Sequence, residues 1–172
     1  FASSVNADIT TGLVGHWKLD EASSGSTPTT AADSSGNNKN GTLTNGPTWT
    51  IGKIGSGAIL LDGINDEITM LDLGSIGTNF TISFWFKTTN GPTSAIVGLG
   101  NFRDCRISFN PSGGLSCTID GGNNELLSGQ IVNNGNWHHA TYVYTPSLQT
   151  IYVNNVQKNT GNFTPSENTP NQ

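Results

Sequence analysis

The chain has 172 residues and a formal net charge of −5, and only 11% of its residues are charged. Its seven Lys and Arg residues are scattered, so no basic stripe exists to neutralise phosphates, which excludes a nucleic-acid partner. Its apolar runs fall far short of a membrane span, and its four Trp, seven Phe and three Tyr sit inside alternating segments, unlike a disordered polar chain.

Residues 1–11 form a polar arm in which Val5, Ala7 and Ile9 alternate with polar residues; the arm reads either as an edge strand or as a frayed terminus. A start at Phe1 rather than Met fits secretion after removal of a leader. Residues 12–20 read as the first firm strand, with Leu13, Gly15, Trp17 and Leu19 on one face. Residues 21–40 follow as a long loop of Ser, Thr, Gly, Pro, Asn and Asp, a length usually reserved for binding or metal loops. Strands are expected at 58–61 and 67–69, with Asp62-Gly63 and Asn65-Asp66 as turns between them.

The clearest strand is Phe80–Lys87: Phe80, Ile82, Phe84 and Phe86 point to the core, and Thr81, Ser83, Trp85 and Lys87 to the other face. Segments 95–99, 106–109, 115–120 and 126–131 follow, each bounded by Gly or Asn turns, and 137–144 is another strong strand. Segments 151–153 and 156–158 make a hairpin around Asn154-Asn155. No helical stripe is present, and strands recur every 8–12 residues. The expected fold class is therefore all-β, a two-sheet antiparallel β-sandwich or jelly roll over residues 12–172.

Cys105 and Cys117 bracket the turn Pro111-Ser112-Gly113-Gly114. If Asn110 pairs near Gly114, Cys117 falls opposite Ile107 and Cys105 becomes its diagonal neighbour, at the upper edge of disulfide reach. One disulfide in an oxidising compartment is the first reading, and two small buried thiols the second.

Glycoside hydrolysis needs two carboxylates facing each other across a cleft. No Glu-x-Asp-x-Glu or Glu-x-Asp-x-x-Glu spacing exists, and the adjacent Asp66 and Glu67 point to opposite faces of a strand, so the chain reads as a non-enzyme. His138 and His139 likewise face opposite sides, one packed and one exposed. Trp85, on the polar side of its strand, is the first candidate platform for a sugar ring, and Trp49, in a turn-rich stretch, is the second; core packing is the competing role for both.

Four blocks resemble the laminin-G-like jelly roll of the concanavalin A-like lectin/glucanase superfamily: Gly12-Leu13-Val14-Gly15-His16-Trp17-Lys18-Leu19-Asp20-Glu21; Ala32-Asp33-Ser34-Ser35-Gly36-Asn37 with Asn40-Gly41-Thr42-Leu43; Gly57-Ala58-Ile59-Leu60-Leu61-Asp62-Gly63 with Asp66-Glu67; and Phe80–Lys87 with Trp137-His138-His139-Ala140 and Ile151-Tyr152-Val153-Asn154. The resemblance implies one structural Ca²⁺ near the long loop. The Asp20, Asp33, Asn37 and Gly41 region offers the carboxylate, amide and carbonyl oxygens that Ca²⁺ takes, the alternative being that Asp33 and Asn37 cap turns. The family's closing strands have no counterpart before Gln172, so the expectation is either a chain cut short or a sandwich completed by a partner strand. Two functions follow from the resemblance. The first is a non-catalytic extracellular binding or adhesion module for a glycan or an extracellular protein. The second is a structural subunit of a filament or surface assembly, joined to its own copies by strand exchange through Val5, Ala7 and Ile9.

Overall fold

A computed structural model describes residues 11–21, 29–70, 73, 79–91, 95–99, 105–119 and 124–162. The arm residues Val5, Ala7 and Ile9 lie outside the described residues. All strand pairs are antiparallel, and no helix is present among the described residues, hence none long and apolar enough to cross a membrane. The chain forms two compact units, Phe1–Ile76 and Gly77–Gln172.

In the first unit, strands β1 (Thr30–Ala31), β2 (Gly41–Thr44) and β5 (Glu67–Met70) make one sheet in the order β1-β2-β5, and β3 (Thr48–Thr50) pairs with β4 (Ala58–Leu60) as a hairpin. Residues 12–20 do not form the expected strand: only an isolated bridge, Trp17 to Asp33, survives. The reason lies in the backbone. Gly12 (φ 77°) and Leu19 (φ 58°) adopt left-handed conformations that interrupt extension at both ends of the segment. The expected long loop is also shortened. It holds β1, whose Thr-Ala pair is too brief to show a period of two in the sequence. Gly41 is drawn into β2, paired with both Ala31 and Met70, and an added Cβ would lie 2.9 Å from Ile68 Cγ2.

The second unit is the sandwich. Strands β6 (Phe80–Lys87), β11 (Trp137–Tyr144), β12 (Gln149–Val153) and β13 (Val156–Gly161) form one sheet in the order β13-β12-β11-β6. Strands β7 (Ala95–Leu99), β8 (Cys105–Phe109), β9 (Gly114–Ile119) and β10 (Asn124–Ile131) form the other in the order β10-β9-β8-β7. Period-two alternation builds the layer between them. In β11, His138, Ala140, Tyr142 and Tyr144 are buried, and Trp137, His139, Thr141 and Val143 are half-buried on the outer side. Phe86 from β6, Ile107 and Phe109 from β8, Leu115, Cys117 and Ile119 from β9 and Ile151 and Val153 from β12 complete the core. Phe80 stacks on Tyr144 at 5.0 Å between ring centroids.

Turn chemistry sets the registers. The Asn110 carboxamide oxygen accepts the N–H groups of Ser112 and Gly114, and Gly113 takes φ 78°, which brings Phe109 opposite Leu115 and Ile107 opposite Cys117. Cys117 is therefore a core residue with Cys105 in the diagonal position; the Cys105 side chain lies outside the described residues. Asn154 and Asn155 both adopt positive φ, as a two-residue hairpin between β12 and β13 requires. The edge strands of the two sheets are joined where Asn159 Nδ2 donates to the Leu127 carbonyl at 3.0 Å.

One polar pair lies within the buried layer, between neighbouring strands β11 and β12: the Tyr142 hydroxyl donates to Gln149 Oε1 at 2.8 Å, with both side chains 1% exposed. Tyr142→Phe should leave that acceptor unpaired and lower unfolding free energy by about 1–3 kcal/mol in a denaturant melt. Adding Gln149→Leu should restore part of the loss.

Candidate functional site

The outer face of β6 and β11 carries the first candidate platform. Trp85 is 41% exposed, and its ring centroid lies 5.0 Å from that of His139, its partner across the ladder, at an interplanar angle of 46°. Next to this pair, Ser83 Oγ is 2.9 Å from His139 Nε2 and 3.3 Å from Thr141 Oγ1. The result is an aromatic surface with hydroxyl groups at its margin, held on rigid strands. Such a surface stacks against the C–H face of a sugar ring while the hydroxyls meet its polar edge.

The start of β11 is locked from beneath. Asn154 Oδ1 accepts the His139 backbone N–H at 3.0 Å, which turns Asn154 Nδ2 toward His138 Nδ1 at 3.1 Å. Asn134 Oδ1 accepts the Asn136 N–H and the His138 Nε2 proton, each at 3.0 Å. Both amide orientations are fixed by backbone donors, so the buried His138 ring is held as the tautomer protonated at Nε2. His138 and His139 thus divide as expected, one packed inside the layer and one under Trp85.

Trp49, the second candidate platform, is placed differently. It sits in β3 and is 3% exposed, which leaves no ring face for a sugar. It is the buried centre of a three-residue hairpin strand, paired with Ile59, a packing role that its turn-rich flanks conceal in the sequence.

The four expected calcium ligands do not form a cradle. Asp33 Oδ1 accepts the N–H groups of His16 and Ser35, each at 2.9 Å, and Oδ2 accepts the Ser35 hydroxyl at 2.8 Å and the Lys39 N–H at 2.9 Å. Asn37 Nδ2 donates to the Leu13 and Val14 carbonyls at 2.7 and 3.2 Å. Gly41 is paired inside β2, and Asp20 lies beside Gly55 and Gly57. The lone pairs of Asp33 are engaged by protein donors, so this donor set does not fit a Ca²⁺ ion, which takes six to eight oxygens. Among the described residues, no group of three His, Cys, Asp or Glu side chains converges on a metal position. Asp33 instead staples residues 16, 35 and 39 together, beside the Trp17 indole N–H, which donates to the Lys39 carbonyl at 2.7 Å. The second acidic spot is turn chemistry, as expected: Asp62 Oδ1 accepts the Ile64 N–H at 2.8 Å, and Asp66 Oδ2 accepts the Asp62 N–H at 2.9 Å.

The model of the laminin G family described as the concanavalin A-like lectin/glucanases superfamily matches residues 61–172. The chain belongs to that superfamily. Among solved structures, domain 4 of the extracellular arabinanase AbnA from Geobacillus stearothermophilus, in complex with arabinotriose, is similar to it at 24% identity and TM-score 0.61, covering 78% of this chain and 70% of that one. An S-layer domain-containing protein from Clostridium thermocellum is similar at 23% identity and TM-score 0.58, covering 89% of this chain and 74% of that one. Likenesses at these identities establish the sandwich shared across the superfamily. Among curated proteins, none matches the chain.

Within this member of the superfamily, His139, Ser83 and Thr141 join Trp85 through a ladder register, Trp85 opposite His139 and Ser83 opposite Thr141, between strands more than fifty residues apart. Each strand's outward face is readable from its own alternation, but the pairing between them is not.

Asp33 gives a prediction for acid stability. Partial burial acts to raise its carboxyl, but the donors from the His16 N–H, the Ser35 hydroxyl, the Lys39 N–H and the Ser35 N–H outweigh burial and hold it well below the usual carboxylate range. A folded-state value below the unfolded one stabilises the fold above the unfolded value of about 3.9, and this stabilisation is lost as pH falls toward the folded value. Wild-type melting temperature should exceed that of Asp33→Asn by a constant margin above about pH 5, and the margin should shrink steadily below about pH 4.

Proposed function

We propose that the chain is a non-catalytic, extracellular carbohydrate-binding module whose ligand lies on the outer face of β6 and β11, with Trp85 as the stacking ring. The observation that carries this reading is the exposed Trp85 indole, held at 5.0 Å over His139 and bordered by Ser83 and Thr141. The similar arabinanase domain and S-layer protein are named for extracellular or surface settings, and the arabinanase domain holds arabinotriose, which supports a neutral oligosaccharide as ligand. The acidic groups with described partners support a binding role: Asp33 gathers donors from residues 16, 35 and 39, Asp62 and Asp66 accept hydrogen bonds within their turn, Glu21 accepts the Ala32 N–H at 3.1 Å, Glu67 the Thr44 hydroxyl at 3.2 Å, and Glu125 the Ser116 hydroxyl across the β9–β10 ladder at 2.6 Å. None of these bonds pairs two carboxylates for acid–base chemistry.

The reading is tested by quenching of Trp fluorescence and by calorimetry with neutral oligosaccharides, arabinotriose first. Trp85→Ala should weaken binding by about tenfold or more, the scale of losing an aromatic anchor, while the melting temperature stays within a few degrees of wild type. Unchanged affinity in Trp85→Ala would remove the platform from the account.

A further inference from the structure

We propose a second, separate carbohydrate subsite at the β10 bulge, which takes a neutral sugar residue by an aliphatic wall and one unpaired acceptor. The β9–β10 ladder breaks register here: Leu127 faces Ser116, but Ile131 faces Gly114, so four steps on β10 run against two on β9. The extra residues are held as a structural feature. Ser128 Oγ accepts the Leu115 N–H at 2.9 Å and sits 3.3 Å from the Gln130 carbonyl, and Gly129 takes φ 64°. Bulges of this kind re-aim side chains beside functional sites.

The bulge opens a cavity of about 210 Å³, lined by Asn110, Ser112 and Gly114 on one side and by Leu127, Gly129, Gln130 and Ile131 on the other. Three features define what it would hold. The Gln130 Oε1 atom is buried without a hydrogen-bond partner, a costly arrangement that is relieved when the Gln130 side chain turns into the cavity and accepts from a ligand hydroxyl. Leu127 and Ile131 are 39% and 61% exposed, an aliphatic surface sized for the C–H edge of one ring. No charged side chain lines the cavity, which disfavours acidic or cationic ligands. A single sugar residue supplies both a hydroxyl donor and an aliphatic edge. Gly114 lets β9 and β10 approach closely at the bulge: an added Cβ would lie 2.9 Å from the Gln130 carbonyl oxygen and 3.1 Å from Ser128 Oγ.

The subsite shares no residue with the Trp85 face, so the two are separable by experiment. The test is an amide chemical-shift titration of the Trp85→Ala protein with the methyl glycosides of arabinose, xylose, galactose and N-acetylglucosamine. The expected result is a saturable shift of amides in 112–114 and 127–131 with at least one of them. Gln130→Leu, which removes an unpaired acceptor, should abolish those shifts with no loss of melting temperature, and Ile131→Ala, at an exposed position, should weaken binding severalfold. No shift in these segments with any of the four sugars, or shifts that persist in Gln130→Leu, would overturn the subsite. Quenching of Trp fluorescence in the wild-type protein reports on the Trp85 face separately, so failure of one site leaves the other legible.

Discussion

The sandwich depends on one constraint: along β6 and β11, consecutive side chains must go to opposite faces. The inner set, Phe86, Ala140, Tyr142 and Tyr144, meets Ile107, Leu115 and Cys117 of the other sheet in a dry layer. Burial of this apolar surface supplies most of the favourable free energy available to a chain with so few charges. The same geometry pushes Ser83, Trp85, His139 and Thr141 outward as a group. Core and proposed binding surface are therefore two sides of one pairing. A one-residue slip between β6 and β11 would bury Trp85 and expose Phe86 together.

Asparagine does the positioning that charged residues perform elsewhere. Asn110 shapes the β8–β9 turn, Asn134 and Asn154 fix the ring of His138, Asn159 joins the sheet edges, and Asn154 and Asn155 take the left-handed backbone of the β12–β13 hairpin. Each uses a short amide that both donates and accepts, and Asn also tolerates positive φ better than most residues. The polar composition of the chain reflects this reliance on side-chain-to-backbone bonds. Asp33 does the same work in the first unit, as a collector of four donors rather than a metal ligand.

How much of this was legible in the sequence follows from range. Strands β6, β7 and β11 match the expected bounds because each carries its own alternation and turn signals. The β8–β9 register was derivable from Asn110 and Gly114, since a tight turn fixes the pairing of its two arms. Residues 12–20 failed because alternation there coexists with left-handed backbone at Leu19, which no periodicity discloses. Trp49 lies between two threonines and Trp85 on the polar face of its strand; only tertiary packing separates a ring that is 3% exposed from one that is 41% exposed. The bulge at 128–130 was equally hidden, because its cause is the Ser128 hydroxyl bonding to Leu115 on the adjacent strand.

The central claim is that an oligosaccharide is held by Trp85, the outward-facing Trp ring of the sandwich that is exposed. The four Trp side chains give four indole N–H resonances, so a ¹H–¹⁵N titration with neutral oligosaccharides reads them individually. The account predicts that the Trp85 indole shifts saturably while the buried Trp49 indole stays in place. A bound oligosaccharide that moves Trp49 and leaves Trp85 unshifted would contradict it.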